Sequence, residues 1–165
     1  MFKPDFKISN MKAFRILLTV AALGMLLTYS GCKKNSASES IQDKQFGLLS
    51  AKTWKVSTVT WGGVDQSATW PASTFQLTIS GTKGAATFNY SCAGRPALSP
   101  WPASGTWAFG TDPATQILRN KGATDELAMN YVVTATTLQI TFAYTGNGYT
   151  RVSKVSGAWV FNFTN

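Results

Sequence analysis

The sequence predicts an all-β fold, an antiparallel up-and-down β-barrel of about eight strands, a number that rests on the period-two alternation of apolar and polar residues. Charged residues make up only 13% of the 165 residues, whereas Gly, Ser and Thr are frequent, a composition that favours strands and turns. No sustained helical period interrupts the alternation, which argues against a parallel α/β sheet. Closing such a meander into a barrel removes its exposed strand edges.

The amino-terminal segment has the pattern of an export signal. Residues 11–15 are basic, and residues 16–27 form an uncharged apolar run that is of signal-peptide length and too short for a permanent transmembrane helix. Because a compact signal needs nothing before the basic segment, Met11 is an alternative start to Met1. The pattern therefore predicts a signal peptide over residues 1–31.

Small residues stand directly before the first of the two cysteines. Ser30-Gly31-Cys32 resembles the lipobox of bacterial lipoproteins. This resemblance implies that a lipid on Cys32 anchors the protein to an envelope membrane, which we expect to be the outer membrane. In lipoproteins of the Bacteroidota, acidic residues after the cysteine accompany surface export. Here basic and polar residues follow it, which favours the periplasmic face. The alternative is an ordinary secretory signal, with Cys32 and Cys92 joined in a disulfide.

Residues 32–44 are polar after the cysteine and contain no aromatic residue. Such a segment buries too little surface to order itself, so we expect a flexible tether between the lipidated cysteine and the barrel. The predicted barrel domain then occupies residues 45–165. It opens with one helical turn over residues 46–50 and a first strand over residues 52–61, which Gly62-Gly63 turns back.

Alternation is regular beyond that point, and each strand has one apolar face. Cys92 falls on such a face, where we expect it to be a small buried hydrophobe. The core candidates are Phe75, Leu77, Ile79, Phe88, Tyr90, Cys92, Trp107, Phe109, Leu127, Met129, Tyr131, Val133, Leu138, Ile140, Phe142, Tyr144, Trp159, Phe161 and Phe163.

Turns are predicted where the alternation stops. These positions are residues 80–84, 111–113, 120–122, 134–136 and 147–148. The last is an Asn-Gly pair, which suits the positive φ angles of a tight turn.

The net charge of +8 does not indicate nucleic-acid binding. Of this charge, +3 belongs to the predicted signal peptide. The remaining bases are scattered along the domain, without a stripe that would track phosphates. The bases of the domain are Lys52, Lys55, Lys83, Arg95, Arg119, Lys121, Arg151 and Lys154.

Catalysis has little support in the sequence. The chain contains no histidine, which excludes Ser-His-Asp and Cys-His arrangements and removes the commonest metal ligand. From residue 45 onward the acids are Asp65, Asp112, Asp125 and Glu126, and the last two are adjacent, so on a strand they point to opposite faces. The sequence predicts a protein that is not an enzyme and has neither a metal nor a cofactor.

Two loops each contain a Trp-Pro-Ala-Ser run, at residues 70–73 and 101–104. Trp70 and Trp101 have two interpretations. They pack against the barrel as buried side chains, or they lie at its mouth and stack on a sugar or lipid.

Several elements taken together resemble the lipocalin-like domains of Bacteroidota lipoproteins. They are Leu48-Leu49 before Trp54, residues 75–81, Ser104-Gly105-Thr106-Trp107, Leu138-Gln139-Ile140 and residues 157–161. The resemblance implies a barrel that binds one small apolar or amphipathic ligand, with Trp70, Trp101, Trp107, Tyr131 and Phe142 as candidate ligand-binding residues. The alternative is an accessory lipoprotein whose barrel is filled by its own side chains and docks on an envelope protein or a glycan.

Overall fold

The computed structural model describes residues 38–151 and 153–165. The predicted signal peptide, Cys32 and residues 33–37 of the predicted tether lie outside the described residues. Within them, the helices are α1 (Ile41–Ser50) and a short 3-10 helix (Ser67–Thr69). The strands are β1 (Thr53–Trp61), β2 (Val64–Asp65), β3 (Gln76–Ser80), β4 (Phe88–Ala93), β5 (Ser104–Phe109), β6 (Gln116–Arg119), β7 (Leu127–Val133), β8 (Thr137–Tyr144) and β9 (Gly157–Thr164).

Eight of the strands close into an antiparallel barrel. From β3 to β9 each strand pairs with the next one along the chain, β3 pairs with β1, and β9 closes the barrel by pairing with β1 from Lys55 to Trp61. The short β2 forms a hairpin with the end of β1 through Gly62 and Gly63, which have φ angles of 58° and 82°. The predicted all-β fold and up-and-down barrel are confirmed.

The strand connections alternate between the two ends of the barrel, because every neighbouring pair of strands is antiparallel. Residues 62–75, 94–103, 120–126 and 145–156 connect strands at one end, which we call the loop end. Helix α1 and residues 81–87, 110–115 and 134–136 lie at the other, which we call the helix end.

Helix α1 packs against the helix end. Its Leu49 is fully buried, and the Leu49 carbonyl accepts a hydrogen bond of 2.8 Å from the indole Nε1 of Trp54. The helix begins at Ile41, so residues 41–44 are helical and do not belong to a flexible tether as their composition predicts. The reason is a local cap, since the Ser40 hydroxyl accepts a hydrogen bond of 3.0 Å from the backbone N–H of Asp43.

The interior is filled with aromatic and aliphatic side chains. The predicted inward faces of β3, β4, β8 and β9 are buried as the alternation requires. Phe161 lies at the centre, with its ring 4.9 Å from that of Trp70 and 5.6 Å from that of Trp101. Cys92 is the small buried residue that the sequence predicts, and burial raises the pKa of its thiol to about 12.

The outer wall of the barrel is almost free of charge. Only two charged residues lie on the eight barrel strands, Lys55 and Arg119. Lys55 is exposed on the wall, whereas Arg119 is only 1% exposed. The rest of the wall consists largely of Ser, Thr, Asn and Gln, which excludes a large charged patch on its strands.

One predicted turn is wrong. The Asn-Gly pair at Asn147 and Gly148 does not make a tight hairpin between β8 and β9, because β8 ends at Tyr144 and β9 begins at Gly157. Gly148 is instead packed against the backbone of Ser99. The connection is therefore a long loop that reaches across the loop end, a tertiary contact that a local turn rule does not contain. Among the described residues, no helix is long and apolar enough to cross a membrane.

Candidate functional site

The loop end is closed by two tryptophans that its connections insert into the barrel. Trp70 is 2% exposed and Trp101 is fully buried. The Trp70 ring packs edge-on against Phe75 at 4.7 Å, and the Trp101 ring packs edge-on against Phe142 at 5.5 Å. Both side chains are thus part of the core, in agreement with the interpretation that they pack against the barrel as buried residues.

A set of hydrogen bonds holds Trp101 in place. The Ser99 hydroxyl accepts a bond of 3.1 Å from the Trp101 backbone N–H and donates one of 3.2 Å to the Trp101 carbonyl. The same carbonyl accepts a bond of 3.0 Å from Nη1 of Arg95. The neighbouring loop adds a backbone bond of 2.8 Å from Tyr149 to the Ser99 carbonyl. We refer to these bonds as the Trp101 latch.

Arg119 is the last residue of β6 and points into the barrel beneath this loop. Its Nη1 donates a hydrogen bond of 2.9 Å to the Pro100 carbonyl, and its Nη2 donates one of 3.2 Å to the Tyr149 hydroxyl. Its Cζ also lies 5.4 Å from the ring centre of Tyr149 and 5.9 Å from that of Tyr144. Within the described residues no carboxylate forms a salt bridge with it, and its Nε has no hydrogen-bond partner.

A cavity of about 300 Å³ lies over this guanidinium. It is lined by Arg119, Thr124, Asp125, Glu126, Leu127, Ala143, Tyr144, Thr145 and Tyr149. The Tyr149 hydroxyl separates the two opposite charges, since it accepts a bond from Arg119 and donates one of 3.3 Å to Asp125. Burial raises the pKa of Tyr149 to about 12, so the phenol keeps the proton that it donates at neutral pH. We call this cavity the Arg119 pocket.

Three further buried donors inside the barrel have no partner. They are the hydroxyl of Tyr90 and the indole Nε1 atoms of Trp101 and Trp107. The Tyr90 ring lies 5.5 Å from that of Trp107 and 6.0 Å from that of Trp101. Arg119 is the cross-strand neighbour of Trp107. These side chains together present hydrogen-bond donors that lack an acceptor, a rare condition for buried groups.

The structure brings four of the five predicted ligand-binding residues into one aromatic core. Trp101 contacts both Trp107, at 6.3 Å, and Phe142, and Trp70 joins them through Phe161. Tyr131 belongs to the same buried core but lies toward the helix end, where its hydroxyl donates to the Pro113 carbonyl. Cys32, the predicted lipid attachment site, lies outside the described residues.

Arg119 is a site residue that the sequence does not predict, because it stands there as one of the scattered bases. A signal was present in Gln116-Ile117-Leu118-Arg119, since period-two alternation puts Arg119 on the same face as Ile117. Ile117 is fully buried. A four-residue strand between two turns is too short for that alternation to stand out.

Within the described part of the chain, no three His, Cys, Asp or Glu residues lie close enough together to hold a metal ion. No protein-family model matches the chain, and a search of curated proteins finds no similar sequence. The candidate site is therefore defined by its own geometry, a buried arginine with unused donors beneath a cavity at the loop end.

Proposed function

We propose that this protein is a lipid-anchored protein of the bacterial cell envelope that binds a small acidic amphiphile without transforming it. The ligand's anionic group binds Arg119, and its apolar part lies in the Arg119 pocket. Cys32 carries the lipid that holds the protein at the membrane. We place the ligand at the loop end because aromatic and aliphatic side chains fill the interior of the barrel.

The observation that carries this proposal is the buried, unpaired guanidinium. Removing a charge from water is costly unless a partner compensates it. Arg119 uses two of its donors on Pro100 and Tyr149, whereas a guanidinium has five N–H groups in total. A carboxylate offers the acceptor geometry that a guanidinium binds in bidentate fashion.

The other residues that line the Arg119 pocket restrict the chemistry of the ligand. Leu127, Ala143 and the ring of Tyr144 supply apolar surface for a short tail. Asp125 and Glu126 line the same cavity, and their charges repel ligands that carry several negative charges. This balance favours a monoanion with an apolar part over a phosphorylated or polyanionic molecule.

The test compares octanoate with octanol, which have the same chain length and differ in the charged group. Binding to the full chain in lipid nanodiscs is measured by tryptophan fluorescence. We expect Arg119→Met to weaken octanoate binding at least about tenfold, corresponding to about 1.4 kcal/mol, and to leave octanol binding unchanged. The matched control is Lys55→Met, which removes one cation from the outer wall. Equal octanoate affinity in both variants, or no octanoate binding by the unmodified chain, would refute the proposed site.

The anchor has a separate test. In cells supplied with radiolabelled palmitate, we expect label in the protein and its complete loss in Cys32→Ser, because the thiol is the acylated group. Cys92→Ser is the matched control and should retain the label, since Cys92 is buried on β4. Label that persists in Cys32→Ser would rule out this anchor.

The uncharged outer wall favours a second candidate, docking of a filled barrel on a glycan or another envelope protein. Gln139 donates to Asn162 at 2.8 Å, and Asn162 donates to Thr58 at 2.8 Å, so amides and hydroxyls form a ladder across three strands. Such groups pair with the hydroxyls of an uncharged sugar. Retention on isolated cell-wall glycan that is equal in unmodified protein and Arg119→Met would support this second function.

A further inference from the structure

We propose that the Trp101 indole is a displaceable plug, and that the ligand is a carboxylic acid with one flat aromatic ring system. The ring takes the place of the indole inside the barrel while the carboxylate binds Arg119. This inference rests on the proposed function for the carboxylate at Arg119, narrows the ligand to a chemical class and places its ring in the barrel rather than in the Arg119 pocket. It also provides an interior site in a barrel whose core is filled.

The unpartnered donors show where such a ligand belongs. Trp101 is fully buried although it comes from a connection and not from a strand. The Nε1 of Trp107, the Tyr90 hydroxyl and the Arg119 Nε all lack partners, and these donors remain in place when the indole leaves. Trp and Arg side chains only donate. The missing group is therefore an acceptor, and one carboxylate has two oxygens with which to accept.

The surroundings of the indole fix the shape of the ligand's apolar part. Phe142 and Phe161 pack edge-to-face on Trp101 at 5.5 and 5.6 Å, while Tyr90 and Trp107 lie 6.0 and 6.3 Å away. Removing the indole leaves a slot with aromatic walls. A flat ring system of similar size restores the edge-to-face contacts, whereas a flexible alkyl chain does not.

Arg119 couples the two halves of the site. The Pro100 carbonyl that accepts from Nη1 of Arg119 belongs to the residue directly before the plug. Because each Nη atom carries two N–H groups, a carboxylate bound through both Nη atoms leaves the bond to Pro100 in place. Arg119 therefore holds the head group beside the plug, and the ring of the ligand is the part that displaces the indole.

The Trp101 latch opposes the exchange. Ser99 bonds both the backbone N–H and the carbonyl of Trp101, and these bonds hold the backbone in the position from which the indole enters the barrel. In the open state the indole is withdrawn from the barrel. A ligand that binds only this state has an apparent affinity equal to its intrinsic affinity multiplied by the fraction of molecules that are open. A variant that weakens the latch without touching the ligand should bind the ligand more tightly.

The experiment measures binding of 2-naphthoate, an aromatic acid of suitable size, to the full chain in nanodiscs. We expect Ser99→Ala to bind it several-fold more tightly than the unmodified chain. Octanoate affinity should be the same in both, because octanoate needs only the Arg119 pocket. Ser91→Ala on the exposed face of β4 is the matched control and should leave both affinities unchanged.

A second readout uses the unmodified chain and covers the case in which Ser99→Ala is unstable. With 5-fluorotryptophan incorporated, the ¹⁹F resonance of Trp101 is assigned by its loss in Trp101→Phe. We expect 2-naphthoate to move this resonance toward the solvent-exposed value and octanoate to leave it in place. If 2-naphthoate binds through Arg119 with the Trp101 resonance unmoved and Ser99→Ala without effect, the plug is refuted and the proposed function stands. If neither acid binds any variant, both are refuted.

Discussion

Phe161→Ala is expected to lower the free energy of unfolding by about 3–5 kcal/mol, the usual cost of truncating a fully buried aromatic side chain. Phe161 is fully buried on β9 and is the centre of the aromatic core. Its ring lies within 6.1 Å of six other aromatic rings, those of Trp70, Phe75, Trp101, Phe142, Trp159 and Phe163. The truncation therefore removes contacts to both loop-end tryptophans, to β8, to the residue directly before β3 and to two aromatic residues of β9 itself.

Urea unfolding followed by tryptophan fluorescence measures this loss. Val160→Ala is the matched control, since Val160 precedes Phe161 on the same strand, is half-buried and faces outward. We expect that control to cost less than about 1 kcal/mol, because it opens no cavity in the core. Similar costs for the two variants would mean that Phe161 is not the centre of the core.

Gly94→Ala is expected to destabilise the protein by roughly 2–6 kcal/mol, the combined range for a non-glycine residue in the left-handed region and for overpacking. Gly94 has a φ angle of 63°, and a Cβ there would lie 2.0 Å from the carbonyl oxygen of Thr74. The obstruction is backbone, so no side-chain rotation relieves it. The two connections that carry Trp70 and Trp101 would have to move apart.

Gly62→Ala separates the two contributions. Gly62 has a nearly equal φ angle of 58°, and its added Cβ meets nothing within 4 Å. We therefore expect it to cost only the backbone contribution, about 1–3 kcal/mol. Thermal and urea unfolding of both variants gives the difference, and equal costs would contradict the close approach of Gly94 to Thr74.

The parts of the fold that the sequence predicts are those set by local rules. Side chains alternate between the two faces of any strand. Phe75, Leu77 and Ile79 therefore predict the inward face, whichever strands lie beside theirs. Gly62-Gly63 likewise specifies a tight turn from conformational freedom alone. The alternation predicts a closed barrel only because closure removes the exposed strand edges. The pairing of β9 with β1 confirms this closure.

The parts that the sequence does not predict depend on tertiary contacts. Alternation over only four residues is too short to separate Arg119 from an exposed base such as Arg151. The burial of Arg119 also requires Pro100 and Tyr149 to reach it from two other connections. The length of α1 depends on a cap at Ser40 and on the hydrogen bond that the Leu49 carbonyl accepts from Trp54. The loop-end site is thus assembled from residues that are distant in sequence, so no sequence motif identifies it.

The pairing that closes the barrel also has a consequence for the order of folding. Ser57 on β1 donates to the Asn162 carbonyl on β9, and these residues are 105 positions apart. Contacts between such distant residues form slowly, because a long loop must be closed before they stabilise anything. Until β9 docks, β1 and β8 each present an unpaired edge to other chains. The last strand thus removes two aggregation-prone edges at once, and loss of that strand leaves both exposed.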